Sequence, residues 1–310
     1  MNWDAEVDVV CIEAGLGGLA SAIATVDGGS DVFVASSTAV DGACLVKVGP
    51  RADRLSNWLD MDVTDTQTLE YFAALCAGIR LDRCTGDVDV PVSVVAEPSP
   101  EPSSRAVVPF IGTRLRDWAA QCLTSPYGWL YTRVAGPHTT TMRTRDGDAI
   151  EVVEVGTFKP GALEFHGSAL ADWLMAQARE RGIKVHTSSP LQRIVFEDGQ
   201  VVGAVVSTPD GPYAVRARHG VSVAPGGEPQ VHTAMRNELV GSDATVRLCL
   251  VSREASRFGR LELLTTDHRA HRPPCRPTNR QLYTGLHEAR QLPSQPWRCG
   301  KVHGYPALGQ

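Results

Sequence analysis

Within the first 35 residues an apolar run, a glycine-rich turn, a helical pattern and a second apolar run follow one another, and few folds accommodate that order. Val7-Asp8-Val9-Val10-Cys11-Ile12 is short, mostly apolar and bounded by polar residues, as a buried strand of a parallel sheet is. The turn Glu13-Ala14-Gly15-Leu16-Gly17-Gly18 follows. Leu19, Ala20, Ala22, Ile23, Ala24 and Val26 then repeat at helical spacing up to Gly28-Gly29, and Asp31-Val32-Phe33-Val34-Ala35 reads as a second strand. A unit of this kind is built to take a dinucleotide. Gly15 lets the backbone approach a pyrophosphate, Gly18 lets the helix lie close to the sheet, and the free N–H groups of the first helical turn face the phosphates.

Two positions depart from the pattern. The first glycine of the fingerprint, which serves the tight turn, is replaced by Glu13. A carboxylate there either strains the turn and repels the pyrophosphate or turns away from the ligand, and the sequence leaves both open. The acidic residue that clasps a ribose should close the second strand, where Ser36 stands. A serine hydrogen-bonds a hydroxyl more weakly than a carboxylate does.

The remaining chain bounds the class. No stretch approaches 18 consecutive apolar residues, which excludes a helical membrane span. The acidic start, Met1 to Glu6, does not resemble a secretory signal, and the eight cysteines are scattered, several within apolar runs. A reducing, cytoplasmic setting is expected. Charge is uneven: residues 1–252 carry 20 Lys and Arg against 31 Asp and Glu, whereas 253–310 carry 10 against 4. The basic tail lacks interleaved aromatics and any nucleic-acid reading motif, so nucleic acid is not an expected partner. His268, His271, Cys275, Cys299 and His303 are zinc-compatible types, but their spacing fits no standard finger and arginines crowd them, so no metal is expected.

In the middle, residues 37–60 look irregular, Thr66 to Ile79 is helical with Cys76 as a core residue, and Pro98 to Ser104 is a loop. Arg114 to Leu123 reads as a helix, and Trp129–Val134 and Ala149–Val155 read as strands. His138 and Arg143, beside Thr139, Thr140 and Thr141, belong to an exposed loop on this reading, and no paired nucleophile and base stands out.

Residues 161–227 are the most readable block. Ser168 caps a helix bearing Leu170, Trp173, Leu174 and Ala178, and Gly182 ends it. Ile183–His186 is a strand; Leu191–Phe196 and Val201–Val206 flank Glu197-Asp198-Gly199 as a hairpin; Pro209-Asp210-Gly211 turns into Tyr213–Ala217; and Val221–Ala224 ends in Pro225-Gly226-Gly227.

This order resembles the flavoprotein subunits of fumarate reductase and succinate dehydrogenase, a family that includes the 3-ketosteroid dehydrogenases. The matching pieces are the Glu13–Gly18 turn, Ala178-Arg179-Glu180-Arg181-Gly182 before a strand, the Asp198-Gly199-Gln200-Val201-Val202-Gly203 hairpin and the Ala224-Pro225-Gly226-Gly227 strand end. They cover roughly 1–48 and 160–227. The resemblance implies an α/β fold: a discontinuous Rossmann-like FAD-binding domain (1–48 and 160–252) with a β-meander, an inserted small capping region (49–159) and a basic Pro/Arg-rich tail (253–310). It implies FAD as cofactor and hydride exchange between flavin and an activated C–C bond of a small organic or steroid-like substrate. Gly15, Leu16, Gly17 and Gly18 match the pyrophosphate turn, Ser36 the ribose position, Gly42 the glycine-rich segment after the second strand, and Ala224 and Gly226 the later strand end near the cofactor. The expected partners are a small-molecule substrate and either a redox partner or a second copy of the chain. The family's later catalytic and flavin-facing segments find no match after Gly227, so no catalytic residue is named. A scaffold that has lost its cofactor and an NAD(P)-binding enzyme are the rival readings.

Overall fold

The computed structural model describes residues 2–37, 63–80, 90–96, 112–133, 139–145, 147–158, 167–225 and 246–266. These lie in one compact unit spanning Met1–His271. In chain order the strands are β1 (Ala5–Ile12), β2 (Val32–Ala35), β3 (Val92–Val94), β4 (Gly128–Tyr131), β5 (Thr140–Arg143), β6 (Ala149–Phe158), β7 (Val185–His186), β8 (Leu191–Glu197), β9 (Gln200–Thr208), β10 (Gly211–Val223), β11 (Val246–Ser252) and β12 (Phe258–Thr265). The helices are α1 (Leu16–Asp27), α2 (Thr66–Cys76), α3 (Gly112–Thr124) and α4 (Gly167–Glu180).

All twelve strands join one sheet, ordered β5-β6-β11-β12-β4-β10-β1-β2-β7, with β3 on β12 and the β8–β9 hairpin on β10. The segment β10-β1-β2-β7 is parallel, and β8-β9-β10 is an antiparallel meander, so the α/β class and the meander read from sequence are present. Of the 49–159 stretch, β4 pairs with both β10 and β12 inside this sheet.

The sheet is covered on both faces, as the unbroken apolar run Val9–Ile12 in the second half of β1 requires. Alternate residues go to opposite sides. Val10 and Ile12 join Phe33, Phe72, Trp118 and Leu123 in one layer. Val9 and Cys11 join Leu19, Ile23, Leu170 and Leu174, beneath α1 and α4, in the other. Arg181, just past α4, grips Asp27 at the end of α1 through Nε–Oδ1 at 2.7 Å and Nη2–Oδ2 at 3.1 Å, which joins the two helices of that layer. The β8–β9 turn uses left-handed Asp198 (φ 49°) and Gly199 (φ 74°), the tight pairing that Asp-Gly favours between strands. Gly182, at φ 69°, closes α4 as expected.

One difference from the sequence reading is that residues 211–223 form a single strand, not two. A bulge takes up the Arg218-His219-Gly220 stretch, where Gly220 adopts φ 125° and the register against β1 shifts between Val7 and Val9. Arg218 pins the bulge by bonding Asp8 at 2.7 Å and Glu6 at 3.3 Å. That contact, followed by the Asp31 backbone bond, holds the Asp8 carboxyl below its ordinary range.

His186, at the sheet edge, stacks on Phe33 with ring centroids 4.4 Å apart. Burial first, then the Lys184 charge, pushes its pKa down. The folded state therefore binds its proton less readily than the unfolded chain, and stability present above the unfolded value of about 6.5 is lost as pH falls from there through the lower folded value. We expect the melting temperature to fall more steeply between about pH 7 and 5 in the wild type than in His186→Phe, which keeps the stack without the titration. Equal slopes in the two proteins would remove His186 as the cause.

Candidate functional site

The C-terminal ends of β1, β2 and β10 lie side by side, the place where open parallel sheets bind ligands. From the end of β1 the chain turns through Glu13 and Ala14 into α1, whose N-cap is Gly15 in extended conformation with no side chain capping it. The first intrahelical bond runs from Leu19 N–H to Gly15 O at 2.9 Å. The N–H groups of Leu16, Gly17 and Gly18 thus precede the ladder, and the first turn carries no acid.

Close approach explains two of the glycines. A Cβ on Gly18 would stand 2.0 Å from the Glu13 carbonyl oxygen and 3.4 Å from Ala224 Cβ. A Cβ on Gly17 would stand 2.5 Å from the Gly128 carbonyl oxygen at the start of β4. Leu16 is buried in the layer beneath α1. Ala224 is buried just beyond β10, its N–H bonded to Ile12 O at 3.1 Å. The structure therefore brings Gly15, Leu16, Gly17, Gly18 and Ala224 to one corner of the sheet, with Ser36 at the neighbouring strand end. Gly42 and Gly226 lie outside the described residues, as do His138 and the His268–His303 group.

Glu13 is where sequence reasoning left two outcomes open. Its φ of 68° is left-handed, a conformation that costs a residue bearing a Cβ about 1–2 kcal/mol. The side chain is 0% exposed. Its carboxylate is carried to the end of β2, where it accepts from Ser37 N–H at 3.2 Å, Ser37 Oγ at 3.0 Å and, over a long 3.4 Å, Ser36 Oγ. Ser36 is itself fixed by Ser36 N–H to His186 O and Ser189 N–H to Ser36 O, both 2.8 Å. Ser37 was not singled out from sequence; the only signal was the pairing of an acid where glycine belongs with a serine where an acid belongs.

Together these groups suit an adenosine diphosphate. Uncapped helical N–H groups and a flush helix–sheet junction meet a pyrophosphate, and a carboxylate with hydroxyls at the β2 end meets a ribose.

Other chemistry is not prepared nearby. Cys11 lies under α1, its Sγ 4.0 Å from Ser21 Oγ, and burial pushes its thiol up to about 12; burial likewise holds the Cys76 thiol at about 11. Neither is a thiolate nucleophile near neutral pH; Cys76, read from sequence as a core residue, is half-buried and packs against the core's edge. Among the described residues no group of three or more His, Cys, Asp and Glu could hold a metal ion. No helix among them is long and apolar enough to cross a membrane. A cleft of about 130 Å³ does open, but along the far half of α1, beside Ser21, Thr25, Tyr131 and His219. It is too small for a dinucleotide and on the wrong part of the helix.

The family model described as "FAD binding domain" matches residues 8–248. No curated protein matches the sequence. Among solved structures, a flavocytochrome c3 fumarate reductase in its open conformation is similar at 18% identity and TM-score 0.30, over 70% of this chain and 33% of that one. The 3-ketosteroid-delta4-(5alpha)-dehydrogenase of Rhodococcus jostii RHA1, in complex with 4-androstene-3,17-dione, matches at 20% identity and TM-score 0.29, over 71% and 46%. The 3-ketosteroid delta1-dehydrogenase of Sterolibacterium denitrificans, in complex with 1,4-androstadiene-3,17-dione, matches at 14% identity and TM-score 0.29, over 70% and 47%. The aligned part is between a third and a half of the length of these three proteins.

Proposed function

The chain belongs to the family of FAD binding domains, whose cofactor is FAD, and from that premise we propose that it is an FAD-dependent oxidoreductase acting on an activated C–C bond. The observation that carries this reading is the corner of the sheet where an uncapped helix N-terminus and a carboxylate-bearing strand end lie side by side. In this reading the N–H groups of Leu16, Gly17 and Gly18 hold the pyrophosphate, with Gly15 leaving the backbone open to it. Ser36 stands at the ribose, and Ala224 seats the later strand end against the turn. Gly42 and Gly226 complete the set. When bound, FAD supplies hydride chemistry that no side chain can supply, and the protein's part is to place and shield it.

The substrate is a small molecule with a C–C bond next to a carbonyl. A ketosteroid is the first compound to try, since two of the similar structures hold one. The two electrons taken from the substrate leave the reduced flavin for a redox partner that serves as acceptor, and a second copy of the chain is the other partner this reading allows, as a homo-oligomer. The scatter of the eight cysteines along the chain, several of them within apolar runs, supports a reducing, cytoplasmic setting.

Anaerobic mixing of the FAD-loaded protein with saturated ketosteroids and small dicarboxylates tests the activity. Bleaching of the oxidised flavin by one such class, with desaturated product, is the expected result. A flavin that stays oxidised with all of them, in a protein that holds FAD, would leave a binding domain without this reaction. Uptake of NAD(P) in preference to FAD would overturn the cofactor assignment as well.

A further inference from the structure

We propose that Glu13 supplies the ribose-binding carboxylate of this chain, delivered from the first turn position to the strand end where Ser36 cannot provide one. The proposal rests on the FAD reading above and goes beyond it by moving an acid from one strand to another. Three observations carry it.

The first is location. The carboxylate belongs to the residue after β1, yet its partners are Ser37 N–H at 3.2 Å, Ser37 Oγ at 3.0 Å and Ser36 Oγ at 3.4 Å, all at the end of β2. The second is strain. Glu13 holds a left-handed φ of 68° and is fully buried, where a glycine would sit without steric conflict. A non-glycine residue kept in such a conformation points to a role at the site rather than to packing. The third is complementarity. The two departures from the dinucleotide fingerprint, the acid at 13 and the serine at 36, are in direct contact, and Ser36 and Ser37 are short enough to let a side chain from the next strand reach that point. A carboxylate whose donors include one amide and two hydroxyls at the β2 end is positioned where a ribose 2′-hydroxyl would donate to it by a charge-assisted bond. It would repel a 2′-phosphate. The ligand class is therefore an adenine nucleotide with a free 2′-hydroxyl, FAD or its ADP half, and not a 2′-phosphorylated one.

The test uses the full chain as wild type, Glu13→Gln, Glu13→Gly and the double variant Glu13→Gly/Ser36→Glu. Calorimetric titration with FAD, ADP and 2′-deoxy-ADP is read alongside the melting temperature of each protein. Wild type should bind FAD, Glu13→Gln and Glu13→Gly should bind it roughly 10–100-fold more weakly, and the double variant should recover to within about threefold. Wild type should favour ADP over 2′-deoxy-ADP by about tenfold, and Glu13→Gln should not discriminate. A purely structural glutamate would change the melting temperature and leave that discrimination intact, which overturns the proposal. So does a Glu13→Gly protein that binds FAD as tightly as wild type or more so, which would make Glu13 an obstruction. In both cases wild-type FAD binding stands and the function reading survives. If neither wild type nor the double variant binds FAD or ADP, the function reading itself fails and takes this assignment with it. Should the glutamine variant not fold, Glu13→Gly, which relieves the strained turn, carries the test: it should bind FAD more weakly than wild type and lose the preference for ADP over 2′-deoxy-ADP.

Discussion

Gly18→Ala is expected to lower the melting temperature by roughly 4–8 °C, a net loss of about 2 kcal/mol, and to abolish FAD binding in the same step. Two effects of opposite sign compete. An alanine in a helix is favoured over glycine by about 1 kcal/mol. Against this, the new Cβ would lie 2.0 Å from the Glu13 carbonyl oxygen and 3.4 Å from Ala224 Cβ. The first is backbone and the second belongs to a side chain with no torsion to turn, so neither yields by rotation. Relief requires α1 to lift from the sheet, at a cost of about 3 kcal/mol, and the clash decides the sign. Lifting the helix also carries the Leu16–Gly18 N–H groups away from the strand ends, which is why binding and stability fall together. Gly29→Ala is the control. That residue adopts φ 79°, and a methyl placed there would meet no atom within 4 Å, so it should cost only about 1 kcal/mol and leave binding alone. Thermal melts and FAD titration of the two variants decide the matter, and a Gly18→Ala protein as stable as wild type would contradict the close packing of α1.

Trp118→Ala should cost about 3–5 kcal/mol, among the largest single-residue losses available in this fold. Trp118 projects from α3 and is 5% exposed. Its Nε1 donates to Phe258 O at 2.8 Å. The guanidinium carbons of Arg253 and Arg260 each lie 5.1 Å from its ring centre. Arg260 in turn bonds the buried Glu262 at 2.7 Å. Removing the indole opens a cavity, drops a hydrogen bond and takes the aromatic face from two cations at once. Trp118 belongs to the layer on the opposite side of the sheet from α1. FAD affinity measured below the lowered melting temperature should therefore be unchanged, in contrast to Gly18→Ala. Chemical denaturation with FAD titration of the same sample checks both halves, and a loss below 1 kcal/mol would show that α3 is not anchored through this residue.

These two residues also mark how far the sequence could be read. Gly18 was legible because a strand, a glycine turn and a helix follow one another within a few residues, and local spacing is enough to define that unit. The Asp198-Gly199 hairpin was legible for the same reason, since its two central residues adopt the left-handed conformations their types favour. Trp118 read as one face of a helix, but nothing local told which strand it would meet, because its partner Phe258 lies 140 residues away. The placement of β4 between β10 and β12 is likewise a long-range choice among several apolar strands of similar length. The bulge at Gly220 was missed because a glycine flanked by polar residues reads equally well as a turn. At the candidate site the glycines were found, whereas the course of the Glu13 side chain was not. That course depends on the sign of one backbone torsion and on the serines of the next strand.

The most direct measurement is the absorbance spectrum of the purified protein, with mass analysis of whatever small molecule it releases on denaturation. A yellow protein whose spectrum is that of a bound flavin, releasing FAD in proportion to the chain, is the predicted result. A colourless protein that releases no nucleotide and takes up none when titrated with FAD would contradict the assignment of the β1–α1 corner as a cofactor site.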